Sequence, residues 1–131
     1  VELSGLQNKF SNNVLDATNA FELILTDEKD VSGLPESLRQ QAKANAASKG
    51  KEGYRFTLQI PFYQPFMQYA DKRDLRQTMY EASINRAASG EFDNRENMAK
   101  ILELRQELAS LLGYKDFADY RLELYMMRSG D

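Results

Sequence analysis

Apolar residues recur at Leu3, Leu6, Phe10, Val14 and Ala17 in steps of three and four. That spacing predicts one stripe of an amphipathic helix ending near Thr18 and Asn19. The period then changes. Phe21, Leu23 and Leu25 alternate with Glu22, Ile24 and Thr26, and Tyr54, Phe56, Leu58 and Ile60 alternate with Arg55, Thr57 and Gln59. Two-residue alternation predicts strands over 21–26 and 54–60, and the simplest partner for each is the other, in a small sheet of open direction. Between them, Pro35 fits a first helical position, Leu38, Ala42 and Ala46 follow at four-residue spacing, and Gly50 offers a stop.

Beyond the second strand, Pro61 and Pro65 bar its continuation, and Phe62, Phe66, Met67 and Tyr69 predict a short aromatic helix from Pro65. Asp71 is the expected cap of the next helix, which carries Leu75, Met79 and Ala82 toward Ser89 and Gly90. Asp93 with Glu96 reads as a capping box for a long helix bearing Met98, Ile101, Leu104, Leu108 and Leu111. Gly113 ends it. Asp116 caps a last helix with Phe117, Tyr120 and Leu124 on one side, its apolar face widened by Tyr125, Met126 and Met127. The expected fold is mainly α: five to six helices with a two-stranded sheet, in a single compact unit over 1–131 uninterrupted by any repeat or Gly/Ser linker.

Hydrophobic residues make up 42% and charged residues 28% of the 131, an ordinary globular mixture. The net charge of -3 gives no electrostatic reason to expect nucleic acid or an anionic membrane as partner. No apolar run reaches the ~20 residues that span a bilayer, and no leader pattern opens the chain, so the expected location is cytoplasmic. The chain opens on Val1 and stops soon after a patterned apolar segment, so both ends read as cut from something longer.

The chain has no Cys and no His. It therefore lacks thiolate nucleophiles, Ser-His and Cys-His dyads, imidazole-bound zinc and the usual proton carrier near neutral pH. Carboxylates are what remain. Asp27, Glu28 and Asp30 cluster without the glycine and alternating oxygens of a calcium loop, and read as a solvated loop. Glu103 and Glu107 stand four apart on a helix without the His that carboxylate-bridged metal sites require. Tyr54, Tyr69 and Tyr120 fall where periodicity explains them as half-buried packing. Arg73, Arg76 and Arg95 are too scattered among acids to form a phosphate site. Asn12 and Asn13 weaken the helix that holds them, which points to side-chain bonds with a structural partner beyond it. No catalytic, cofactor-binding or metal-ligating residue is assigned.

Four segments carry a resemblance. Residues 10–21, FSNNVLDATNAF, Gly33-Leu34-Pro35-Glu36, the run from Tyr54 to Pro65, and residues 111–120, LLGYKDFADY, resemble, in this order, segments of the thimet oligopeptidase family, oligopeptidase A and dipeptidyl carboxypeptidase among its members. The resemblance implies a large, mainly helical enzyme whose halves enclose a channel for short peptides. It implies zinc held by an H-E-x-x-H helix and a later Glu, with the motif Glu activating the zinc-bound water. The resembling stretch precedes that motif, so none of those roles transfers to a residue here. The expectation is a non-catalytic segment of the peptidase's N-terminal half, forming part of the channel wall. Its partners would be short peptides and the remainder of the same polypeptide. Two alternatives stay open on the residues alone: a free-standing helical interaction module using the apolar face of residues 120–127, and a carboxylate-dependent hydrolase, for which no acid stands out.

Overall fold

The computed structural model of the protein describes residues 1–125. Among them are six α-helices and one two-stranded antiparallel sheet. In chain order the elements are α1 (Glu2–Ala20), β1 (Leu23–Leu25), α2 (Glu36–Ser48), β2 (Tyr54–Phe56), α3 (Ile60–Tyr69), α4 (Arg73–Ile84), α5 (Arg95–Leu111) and α6 (Phe117–Leu122), with short 3-10 turns between some of them. None of the described helices is long and apolar enough to cross a membrane. Backbone contacts group the chain into two compact units. One holds Val1–Asn13 and the chain from Asp93 onward, the other Val14–Phe92. Helix α1 contributes to both.

In the second unit β1 and β2 pair with Leu23 opposite Phe56, Ile24 opposite Arg55 and Leu25 opposite Tyr54. The pairing is shorter than the alternation over 21–26 and 54–60 predicts, and both ends have a physical cause. At one end Gly53 has φ +96°, and a Cβ there would stand 2.5 Å from the carbonyl oxygen of Leu25. At the other the chain turns, with the Gln59 N–H donating to Thr57 Oγ at 3.4 Å. Ile60, expected on the apolar strand face, is instead the first residue of α3 and is 72% exposed. Arg55 and Thr57 are buried although the alternation places them on a polar face.

Helix α3 begins at Ile60, not at Pro65. Pro61 occupies its first turn, where a missing N–H costs nothing, and the amides of Phe62 and Tyr63 both bond to the Gln59 carbonyl at 2.9 Å. Pro65 lies inside the helix. Phe66 is fully buried, its ring 5.0 Å from that of Phe56, and Phe62 meets Phe56 edge-on at 6.4 Å. Val31, Leu38, Ala42 and Met79 complete the centre of this core. Helix α2 buries Leu38, Ala42 and Ala46 as their spacing predicts. Pro35 is its N-cap, one residue before the first helical position. It ends before Gly50, whose N–H bonds to the Ala47 carbonyl while that of Lys51 returns to Ala46.

Asp71 does not cap α4. The N-cap is Lys72, without a side-chain bond, and α4 stops at Ile84, short of Ser89. Asp71 instead ties down the turn at Ser32: the Ser32 hydroxyl donates to Asp71 Oδ2 at 2.6 Å, and the Asp71 N–H donates to the Ser32 carbonyl at 3.1 Å. Tyr69, expected to be half-buried, is 52% exposed.

In the first unit α5 forms where expected, but its buried face is rotated. Asn94, Asn97, Ile101 and Ala109 are buried, Leu104 and Leu108 half-buried, and Met98 and Leu111 exposed. The capping box is half made. Asp93 accepts from the Arg95 N–H at 2.9 Å, whereas Asn94 is the N-cap residue and Glu96 is exposed. Gly113 ends α5 as its N–H bonds to the Ser110 carbonyl and that of Tyr114 to Ala109. Asp116 caps α6 by accepting from the Asp119 N–H at 2.9 Å. The Phe117 and Tyr120 rings meet at a tilt of 55° with centroids 5.8 Å apart, and the Arg105 guanidinium lies 5.0 Å above the Phe117 ring. The side chain of Leu124, together with Met126 and Met127, lies outside the described residues.

Candidate functional site

Two polar clusters stand out, one in each unit. The first is built on the asparagine pair of α1. Asn13 donates from Nδ2 to Asn94 Oδ1 at 2.8 Å, Asn97 donates to the same oxygen at 3.0 Å, and Asn94 Nδ2 donates to the Phe10 carbonyl at 3.0 Å. Asn94 is 1% exposed. The structural partner expected for the pair is thus found for Asn13, while Asn12 is exposed to solvent. These three bonds converge on Asn94 and fasten the start of α5 to α1. Asn94→Ala would strand the Asn13 and Asn97 amides, and the expected loss of stability is about 2 kcal/mol. Urea denaturation of the full chain reads it.

The second cluster joins the strands to α2. Arg55 donates from Nε to Glu22 Oε2 at 2.7 Å and from Nη1 to Asn45 Oδ1 at 2.9 Å, and Lys51 pairs with the other Glu22 oxygen. Glu22 directly precedes β1, and with Ile24 opposite Arg55 the register carried back two residues sets it diagonal to Arg55, an opposite-charge arrangement. The hydrogen bonds from Arg55 and Lys51 hold the Glu22 carboxyl at about 2 instead of its ordinary 4.5. It stays a carboxylate and has no proton to give near neutral pH. Because the folded state favours the charged form, Glu22 stabilises the fold fully above about 4.5, and that contribution fades as pH falls toward 2. Glu22→Gln should flatten the fall in urea midpoint between pH 5 and pH 3. Parallel curves for the two proteins would contradict this coupling.

The other acids are spoken for or face water. Asp27 caps a 3-10 turn by accepting from the Lys29 N–H at 2.9 Å, and Asp30 pairs with Lys72. Glu28, Glu103 and Glu107 are exposed. Tyr54 and Tyr120 are half-buried as expected. Arg95 pairs with Asp93 at 2.6 Å, and Arg76 donates to the carbonyls of Ala70 and Asp71. Glu123 accepts the Tyr114 hydroxyl, which raises the phenol above its ordinary value and leaves it protonated.

The sequence model of peptidase family M3 matches residues 66–130. Over 129 residues, 95% of this chain, the sequence is 47% identical to oligopeptidase A of Haemophilus influenzae. The chain belongs to peptidase family M3. Oligopeptidase A of Escherichia coli is 48% identical over 88% of the chain, whereas dipeptidyl carboxypeptidase of Salmonella typhimurium is 29% identical over 98%. The M3 chain is therefore nearer to oligopeptidase A than to that dipeptidyl carboxypeptidase, a distinction its short motifs did not make. It spans about a fifth of these relatives, 19% of the first and 18% of the second.

A zinc ion, which the family resemblance implies, finds no fitting donors among the described residues of this M3 segment. There is no imidazole or thiolate, and no three Asp or Glu side chains converge in a way that could hold a metal. Asp27, Glu28 and Asp30 do not approximate a site, since Asp30 is neutralised by Lys72 and Asp27 caps backbone.

Proposed function

We propose that this M3 segment is a non-catalytic part of a zinc-dependent oligopeptidase that hydrolyses short peptides, and that it forms part of the channel wall. The reading rests on one observation: close similarity to oligopeptidase A runs along 95% of a chain that contains no imidazole or thiol. In that role the segment contributes shape and limits substrate size, while the metal, the activated water and the oxyanion donors belong to the remainder of the same polypeptide.

Exposed apolar side chains on two elements support the reading. Tyr69 on α3, and Met98 and Leu102 on α5, are 52%, 44% and 64% exposed. A groove of about 430 Å³ on the first unit is lined by Phe10, Met98, Ile101 and Leu102, with Arg105 beside them. Such surfaces suit packing on other parts of a long polypeptide or contact with peptide. Tyr69→Ser and Leu102→Ser, made separately in the intact peptidase, should change the longest peptide cleaved while leaving turnover of the shortest substrates near its original value. An unaltered length cut-off in both variants would remove the wall role.

A further inference from the structure

The second unit contains a polar cavity of about 350 Å³ whose unused hydrogen-bonding groups are mostly donors. Its lining is Asn19 at the end of α1, Asn45 and Lys49 at the end of α2, Arg55 and Thr57 in and just after β2, and Gln59 at the start of α3. Arg55 and Thr57 are 8% and 4% exposed, so this is a built recess with buried polar walls.

A guanidinium carries five N–H donors. Arg55 places Nε on Glu22 and Nη1 on Asn45, and its Nη2 has no acceptor among the described residues. Gln59 donates to Asn19 Oδ1 at 3.0 Å, and Asn45 Oδ1 is taken by Arg55. Each asparagine side-chain carbonyl thus already accepts one hydrogen bond, whereas the Asn19 and Asn45 side-chain N–H groups have no acceptor among the described residues. Thr57 Oγ accepts from the Gln59 N–H, so its own proton is free to be donated. Lys49 forms no ion pair with any described residue. Gln59 Oε1 is the one side-chain acceptor of the lining with no hydrogen bond among the described residues.

Charge favours the same kind of occupant. Arg55 and Lys51 already hold the Glu22 carboxylate, and Lys49 adds a further positive charge to the lining. The α2 carbonyls that would repel an anion are partly covered, because the Ala46 oxygen accepts from both Lys49 and Lys51 N–H groups. A cation would meet unpaired positive charge here, and an apolar group would strand the Arg55 donors. An oxyanion would fill the free guanidinium edge and satisfy the adjacent amides, with the volume leaving room for accompanying water.

We propose that this cavity binds an oxyanion, a carboxylate or a phosphate group, on Arg55 Nη2, Lys49 and Thr57. The site is independent of the peptidase reading and stands or falls without it. The test follows backbone amide and arginine side-chain NMR signals of the full 131-residue chain. Inorganic phosphate, a short peptide with a free C-terminal carboxylate and the same peptide amidated are titrated at constant ionic strength. Saturable shifts at Lys49, Arg55 and Thr57 are expected with phosphate, with the free carboxylate, or with both, and none with the amide. The pattern assigns the natural source of the oxyanion. Lys49 is exposed and outside the core, so Lys49→Gln should weaken binding about fivefold with the fold intact. Lys43→Gln, on the same helix but outside the cavity, should leave it unchanged. Absence of saturation with every anion, or equal weakening by the two lysine substitutions, would overturn the proposal.

Discussion

Phe66→Ala is expected to cost the chain about 3–5 kcal/mol, enough to remove much of the stability of a domain this size. Phe66 is fully buried, and its ring fits against Phe56, also fully buried, at 5.0 Å and 61° between planes. Truncation leaves a cavity where α3 meets the sheet, and the neighbours that would have to fill it are themselves fixed by Val31, Leu38 and Met79. The pair should couple as well: the Phe56→Ala, Phe66→Ala double variant is expected to lose about 1 kcal/mol less than the sum of the single changes. Ile60→Ala, six residues away in the same helix, should fall within about 0.5 kcal/mol of the parent because that side chain is 72% exposed. Urea denaturation of the two single phenylalanine variants, the double variant and Ile60→Ala checks this ordering. A Phe66→Ala loss no larger than that of Ile60→Ala would mean the core is not where the structure places it.

Gly33→Ala should be nearly as damaging, by about 3 kcal/mol or more, although it adds a single methyl group. Gly33 has φ +81°, and a Cβ there would stand 2.3 Å from the Tyr69 carbonyl oxygen and 2.7 Å from Asp71 Oδ1. Neither atom can yield cheaply. The first is backbone at the end of α3, and the second belongs to the carboxylate that Ser32 holds. The same substitution at Gly5 has the opposite expected sign, a gain of about 0.5–1 kcal/mol, since Gly5 lies within α1 with open space around its Cα. Thermal melts of the two variants therefore should move apart in opposite directions. A melt for Gly33→Ala at or above that of the parent would show that the turn does not pack on residues 69–71 as described.

The fold was legible where local chemistry alone decides it. The stripe on α1, the buried Leu38, Ala42 and Ala46 of α2, the strand pair, the Gly113 stop and the Asp116 cap all follow from spacing and from residues whose preferences act within one turn. What escaped was set by tertiary partners. Asp71 has the right type and place for a helix cap, but Ser32, thirty-nine residues earlier in sequence, competes for its carboxylate and wins. Pro65 is a reasonable helix start until Pro61 is seen to fill that role four residues sooner. The stripe of α5 put Met98 and Leu111 inward, whereas the buried asparagines 94 and 97 turn that face toward their own amide network.

The candidate sites divide in the same way. That Asn13 needs a partner could be read from the cost of asparagine within a helix, but that the partner is Asn94 could not, since 81 residues separate them. The Glu22–Arg55 pair required the register of two short strands, and the oxyanion cavity required knowing which donors the protein itself had already used. Family membership, by contrast, was readable from four short motifs in a fixed order, and the comparison with oligopeptidase A bears it out.

The most direct measurement is hydrolysis of a panel of short peptides by the purified 131-residue chain, alongside intact peptidase, with added zinc and with a chelator. Turnover is expected from the intact enzyme alone, abolished by the chelator, and none from the isolated chain under either condition. Peptide cleavage by the isolated chain, with or without zinc, would contradict the non-catalytic role.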